Sequence, residues 1–338
     1  MGVTIQKSVS LKNYNTFGVD AIAHSLAIIR DQGSLVELLR NADLEPWILG
    51  GGSNILLTQD MNKLVLKIEI GGIDIEEETS DFVLLKVGAG VIWHDLVLWA
   101  VHRGYSGIEN LALIPGRVGA APIQNIGAYG VELKSVFHCL EAVELQTGER
   151  SKMHGEECQF GYRNSIFKKA KKGKHCITHV YLKLNKKPHE INATYGAITD
   201  TLMQKGIVDP TIQNVCDAVI TIRSSKLPDP AVLGNSGSFF KNPILSKSQR
   251  DSIMTRYKDL ISYPARDDAF KIPAGWLIEK CGWKGKQIGN VGCYDKQALI
   301  IVNYGGASGQ EILDHAIRVQ ESVQEEFEIL IAREVNVF

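Results

Sequence analysis

Short apolar runs, alternating with polar residues or continuous, mark strands at His24 to Arg30 (HSLAIIR), Pro46 to Leu49 (PWIL), Leu64 to Ile68 (LVLKI), Phe82 to Val87 (FVLLKV) and Cys176 to Leu184 (CITHVYLKL). Apolar residues three and four apart mark helices instead, over Ser34 to Ala42 (SLVELLRNA) and in IWHDLVLWAVHRG, which stops at Gly104. The acidic IDIEEETSD reads as a polar hairpin or a boundary, and EAVELQTGERSKM as a hairpin turning at Thr147-Gly148. Asp209-Pro210 predicts a helix start, with Asp as cap and Pro in the first turn, ahead of Ile212, Val215, Cys216, Val219 and Ile220 at helical spacing. Two further starts carry capping boxes, Ser246 with Gln249 and Ser308 with Glu311, and the strands ALIIVNY and EILIAREVNVF close the chain. A length of 338 residues exceeds one ordinary core. We divide it into two α/β units at 1–70 and 71–221 and a third unit at 222–338.

Two glycine-rich loops follow strand-like segments: LGGGSNILL at Leu49 to Leu57 and PGRVGAAPIQNIGAYG at Pro115 to Gly130. Strung glycines let backbone N–H groups approach an anion with no Cβ in the way, so such loops cradle phosphates, and two in one chain suggest one large ligand. The Rossmann fingerprint fails in the first loop, where Ile55 stands in place of the third glycine, and ILLTQDM opens no helix; a Walker A motif is absent too. The 37 Lys plus Arg against 38 Asp plus Glu are too balanced for a generic nucleic-acid or anionic-membrane surface, so any anion site is local. No apolar run is long enough to span a bilayer. Six cysteines without a C-x-x-C pair, and no N-terminal signal peptide, predict reduced thiols in a cytoplasmic protein.

Other chemistry is sparser. GNSGSFFKNP carries Ser236, Ser238, Lys241 and Asn242 but no G-x-S-x-G elbow, so a serine-hydrolase reading is weak. Arg163 in FGYRNSIFK can hold a carboxylate bidentately. Glu334 sits in LIAREVNV, where alternation leaves its face open. His175 and His179 are four apart on a strand, which gives no closed ligand set, so we assign no metal. Trp276 and Trp283 are assigned to the core of the third unit.

Taken in order, GGGSN, NLALIPGRVGAAPIQNIGAYG, FGYRNSIFK, RSSKLPDP, GNSGSFFKNP and AGWLIEKCGWKGKQIG resemble the UDP-N-acetylenolpyruvoylglucosamine reductase family over nearly the whole chain. The resemblance implies a mixed α+β and α/β, three-domain flavoprotein with the vanillyl-alcohol-oxidase FAD-binding fold: two α/β subdomains for FAD and an α+β substrate domain. It implies NADPH-dependent reduction of the enolpyruvyl ether of UDP-N-acetylglucosamine enolpyruvate to UDP-N-acetylmuramate, in peptidoglycan synthesis. NADPH would use the substrate's own cleft, which accounts for the missing Rossmann motif.

Carried over residue by residue, the resemblance places FAD on Gly50, Gly51, Gly52, Ser53, Asn54, Pro115, Gly116, Gly119, Gln124, Asn125, Gly127, Ala128, Gly130 and Arg223. It places the catalytic trio on Arg163, Ser238 and Glu334, and sugar-diphosphate contacts on Tyr195, Lys226, Asn242, Lys284 and Gln297. Tyr195, in INATYGAI, is similar to the lid loop of the type I branch. No His or Cys lies in or near the first loop, so the flavin is expected to be non-covalent, in a monomer without nucleic-acid or membrane partners.

These residue types suit the chemistry. The enol ether is activated for hydride addition only through its carboxylate, so Arg163 can stabilise the resulting enolate-like dianion and a protonated Glu334 can donate to the same oxygens. The carbanion is basic enough to take a proton from Ser238. Two rival readings are another flavin oxidoreductase on the same scaffold and a non-catalytic nucleotide-binding protein. Tyr195 and Lys226 argue for a diphosphate-bearing substrate, and the joint presence of Arg163, Ser238 and Glu334 argues for catalysis.

Overall fold

The computed structural model describes residues 3–41, 44–265 and 267–338. They gather into two compact units: one takes the chain up to Val9, Ala23–Gly51 and Met61–Ser225, the other Ser10–Ile22, Gly52–Asp60 and Lys226–Phe338.

In the first unit, one sheet runs in the order Ile5–Ser10, Ile22–Ile29, Met61–Ile68, Pro46–Leu49, and its last three strands pair in parallel. The helix Gln32–Asn41 makes the crossover between two of them and buries Leu35, Val36 and Leu38; Ala42, the end expected for it, lies outside the described residues. Parallel strands covered on both faces read as continuous apolar runs, which makes the buried Lys67 in Met61–Ile68 an anomaly. A second sheet, antiparallel throughout, has the order Arg150–His154, Phe137–Glu144, His175–Asn185, Phe82–Gly88, Ile73–Glu78. The acidic stretch is thus an edge strand of a hairpin, its charges in solvent. The helix Trp93–His102 buries Trp93, Leu96, Val97, Ala100 and Val101 against this unit's core, and Gly104 at φ 74° ends its turn.

The Asp209-Pro210 start is corrected: the helix spans Ile212–Lys226. Its cap is Thr211, whose Oγ1 accepts the Asn214 N–H at 3.2 Å. Proline holds the residues before it extended, and the hydroxyl stands at the N-cap position.

The second unit has an antiparallel sheet in the order Gly234–Ser238, Ile300–Asn303, Val291–Cys293, Gln287–Ile288. The helix Gly309–Phe327 backs it, burying Ile312, Ala316, Val319, Val323 and Phe327 along one stripe. Both capping boxes form. Trp276 stacks on Tyr257 and Phe327, and Trp283 on His315, so both join this unit's packing. EILIAREVNVF is a strand only at Asn336–Val337, paired in parallel with Ile55–Leu56. Its backbone bonds go in turn to Phe239, Lys241 and Asn54 rather than to one partner strand, which breaks the ladder that alternation predicts.

Candidate flavin and substrate site

The first glycine loop leaves the parallel sheet after Leu49. Gly50 has ordinary φ, and a Cβ built on it meets nothing within 4 Å. A Cβ on Gly51 would stand 3.0 Å from the Gly116 Cα, so here the two glycine loops touch backbone to backbone. Gly52, at φ 66°, is excluded from carrying a side chain twice over, because its Cβ would run into the Tyr14 carbonyl oxygen. Gly51 and Gly52 are thus places where a side chain does not fit, while Gly50 borders open space.

Sequence reasoning missed what stands under it. Lys67, 5 % exposed, donates from Nζ to the Gly50 carbonyl oxygen at 2.6 Å. Burial first, then the neighbouring Arg117, push its pKa down to about 8. The signal was a lysine inside the apolar run LVLKI, where a buried cation needs a reason. The unfolded chain, with the ordinary value of 10.5, binds more protons than the folded one between about pH 8 and about pH 10.5. The cofactor-free protein should therefore gain stability from this group across that window, by at most about 1.4 kcal/mol per pH unit, with no contribution to the slope below it. Urea midpoints of wild type and Lys67→Met from pH 7 to pH 10 check this: the difference between them should change with pH only above about 8, and a constant difference would contradict it.

The second loop opens with exposed Pro115 and with Gly116 at φ 114°, and Gly119 packs so close to Ala89 that a Cβ there would stand 2.5 Å from the Ala89 Cβ. Its start is pinned by His94, whose Nδ1 accepts the Leu113 N–H at 3.0 Å, and by Arg223, whose Nε donates to the Leu113 carbonyl at 3.3 Å. Burial lowers the His94 pKa, in keeping with a neutral acceptor. Gln124 is half-buried in the short turn Pro122–Gln124. Asn125 is 0 % exposed, and its amide is taken up by Glu132, Gly161 and Lys134; its side chain holds the loop together from within. Gly127–Ala128 and Val131–Glu132 form a ribbon turning at Tyr129 and Gly130, both at positive φ, the two-residue turn that suits a tight hairpin.

Arg163 rises from the turn closed by Gly161 and Asn164, in the left-handed region at φ 49°. Such a conformation costs a non-glycine residue about 1 kcal/mol. Its Nη2 donates to the Gly127 carbonyl at 2.6 Å, which ties the candidate carboxylate clamp to the second loop. Arg223 is its electrostatic neighbour: burial first lowers the Arg223 pKa, Arg163 adds to this, and a hydrogen bond with Tyr129 opposes it. Tyr195, half-exposed, stacks edge-on to Tyr129 at 5.3 Å at the start of the helix Gly196–Gln204. The first unit thus brings Arg163, Arg223, Gly127 and Tyr195 around one segment. Two neighbouring guanidinium groups at such a place suit an anion.

In the second unit, Gly234–Ser238 pairs with Ile300–Asn303 through a bulge between Asn235 and Ser238. Buried Asn235 forms the turn: its Oδ1 accepts the Gly237 N–H at 2.9 Å, and its Nδ2 donates to Pro228 and Leu233. Gly237 at φ 67° completes the bulge, and Ser238 rejoins the ladder opposite Ile300 with its side chain exposed. The next residue, Phe239, accepts the Glu334 N–H at 2.8 Å, and the Glu334 carbonyl accepts Asn54 Nδ2 at 3.4 Å. Ser238, Glu334 and the Gly52, Ser53, Asn54 part of the first loop are thereby joined in series, through a backbone bond at Phe239 and the Asn54 side-chain amide.

Asn242 Oδ1 accepts the Ala274 N–H at 2.9 Å at the start of the helix Ala274–Lys280, and Gln297 lies against Gly275, the next residue of that helix. Lys226 ends its helix exposed, whereas Lys284 is engaged by Glu279 at 2.9 Å on the surface. His175 packs on Phe167, and His179 Nδ1 lies 3.2 Å from Glu141.

The mixed fold with its paired glycine loops defines an FAD-binding flavoprotein of the vanillyl-alcohol-oxidase fold, and residues 27–153 match the FAD binding domain model. 6-Hydroxy-D-nicotine oxidase from Arthrobacter nicotinovorans shares the fold, at a TM-score of 0.52 and 15% identity over 93% of this chain and 83% of that one. Residues 229–338 match the C-terminal domain of UDP-N-acetylenolpyruvoylglucosamine reductase. The Flavobacterium johnsoniae reductase of that name is 48% identical over 98% of this chain and 99% of its own. The Pseudomonas aeruginosa one is 44% identical over the full length of both. The crystal structure of the Thermus caldophilus reductase has a TM-score of 0.71 at 25% identity, covering 99% of each chain. The chain belongs to the UDP-N-acetylenolpyruvoylglucosamine reductase family.

Proposed function

We propose that this protein uses FAD and NADPH to reduce the enolpyruvyl ether of UDP-N-acetylglucosamine enolpyruvate to UDP-N-acetylmuramate. The observation that carries this reading is the full-length relationship at 48% identity, which leaves neither half of the chain to another activity. Bound FAD would supply the hydride chemistry that links NADPH oxidation to substrate reduction. The loop glycines, with Lys67 fixing Gly50, hold the cofactor; Arg163 binds the substrate carboxylate and stabilises the charge that develops there. Glu334 donates to the same oxygens, and Ser238 delivers the proton to carbon. Lys226, Asn242, Lys284, Gln297 and Tyr195 bind the sugar diphosphate.

We read three functional parts at 1–70, 71–221 and 222–338, one for each principal sheet, with the segments Ser10–Ile22 and Gly52–Asp60 packed in the C-terminal unit. We read the protein as a cytoplasmic monomer; its six free cysteines support a reducing compartment.

Tyr195→Phe and Lys226→Ala should each weaken sugar-nucleotide affinity about ten- to a hundredfold, the worth of one charge-assisted contact of about 1.5–3 kcal/mol. Calorimetric titration of the oxidised enzyme reads this, and unchanged affinity in both variants would remove the lid assignment. A panel of acceptors with NADPH tests the activity itself: turnover confined to the enolpyruvyl sugar nucleotide supports it, and preference for an acceptor lacking the diphosphate refutes it.

A further inference from the structure

We infer that the edge hairpin of the antiparallel sheet carries a reversible Zn²⁺ site built from His138, Cys139 and His154, outside the flavin and substrate machinery. The ring nitrogens of the two histidines and the Cys139 sulfur all lie within 4.8 Å of one another. Cys139 stands directly across from His154 in the register of Phe137–Glu144 with Arg150–His154, which places both side chains on one face. A regular strand would turn His138 to the other face. Here the pairing with His175–Asn185 shifts between Phe137 and Cys139, so that His138 is the extra residue of a bulge and keeps company with its neighbour.

The donor set is that of a borderline-soft cation, with two imidazoles and one thiolate, and three protein ligands leave one position for water. Tetrahedral zinc with bonds of about 2.1 Å to nitrogen and about 2.3 Å to sulfur needs donors about 3.3 to 3.6 Å apart, a closure within reach of χ rotation in the two exposed histidines. The rings already meet edge to face with centroids 5.9 Å apart. The turn after the strand is held by the His154 N–H bonded to the Glu157 carboxylate at 2.8 Å, so that ligand's backbone is fixed in advance. Burial raises the Cys139 pKa and the neighbouring Lys152 only partly opposes this, so metal must displace the thiol proton; that cost, and the cations Lys152 and Lys183, keep the site weaker than a closed structural one. Bound zinc would clamp the free edge of the hairpin.

The test uses the full-length flavin-loaded protein, freed of metal, titrated with Zn²⁺ against a chromophoric chelator and separately with Co²⁺. One equivalent per chain is expected, with a thiolate charge-transfer band for Co²⁺. His154→Ala, at an exposed position, should lower affinity at least tenfold, since loss even of a residue that only orients a ligand costs about 10–100-fold. Its flavin content and turnover should be unchanged. Cys139→Ser should abolish the thiolate band, with flavin content reporting that it has folded. No uptake, uptake unaffected by His154→Ala, or a Co²⁺ complex without a thiolate band would each overturn the site.

Discussion

Ser238→Ala should leave flavin bleaching by NADPH at the wild-type rate and slow the return of colour on adding the enolpyruvyl sugar nucleotide by about 10²- to 10⁴-fold. That is the usual worth of a general acid, and more is expected if no water can substitute. The separation follows from when the hydroxyl acts: it is needed only once charge has developed on the substrate. The bulge and the Asn235-pinned turn that present Ser238 owe nothing to its hydroxyl, so the variant keeps its fold. Cysteine, the better acid, should restore part of the rate. Arg163→Ala should share the slow second phase and also weaken substrate binding, because a carboxylate contact exists before the transition state as well as in it. Stopped-flow absorbance of each half-reaction decides this, and a Ser238→Ala enzyme slow in bleaching but normal in reoxidation would exclude the role.

Gly51→Val should yield protein that purifies without colour. Its Cβ would press on the Gly116 Cα at 3.0 Å, backbone against backbone with no side chain to yield, and the added methyl groups would force the two loops apart. Gly52→Val should be colourless too, but through local misfolding against Tyr14. Gly50→Ala separates cradle from scaffold. A methyl group there meets nothing within 4 Å and needs no unusual φ, so the variant should fold like wild type and yet hold FAD less tightly. The flavin-to-protein absorbance ratio after dialysis, with circular dichroism as the fold control, reads all three. Full FAD retention in Gly51→Val would show that this loop is not the cofactor's seat.

What the sequence disclosed and what it hid have physical reasons. Periodicity found Pro46–Leu49 to the residue and His175–Asn185 within one residue at each end, because a strand with a continuous partner keeps its alternation. Both capping boxes were legible, since a cap is a local bond between residues three apart. EILIAREVNVF misled because its alternation serves burial of Ile329, Ile331 and Val335 while its backbone bonds scatter among three segments. Thr211 was overlooked beside the louder Asp-Pro signal. Among site residues, the glycines and Arg163 stood out in their motifs. The supporting group did not: Lys67, His94 and Asn125 reach partners 17, 19 and 36 residues away, and no local window of sequence displays these.

The most direct test of the central claim is an absorbance spectrum of the purified enzyme taken anaerobically, first with NADPH and then with UDP-N-acetylglucosamine enolpyruvate. The yellow band of bound FAD should bleach with one equivalent of NADPH and return with one equivalent of the enolpyruvyl sugar nucleotide, with UDP-N-acetylmuramate recovered in the same amount. Protein that is colourless after FAD is supplied, or reduced enzyme that this substrate fails to reoxidise, would contradict the account.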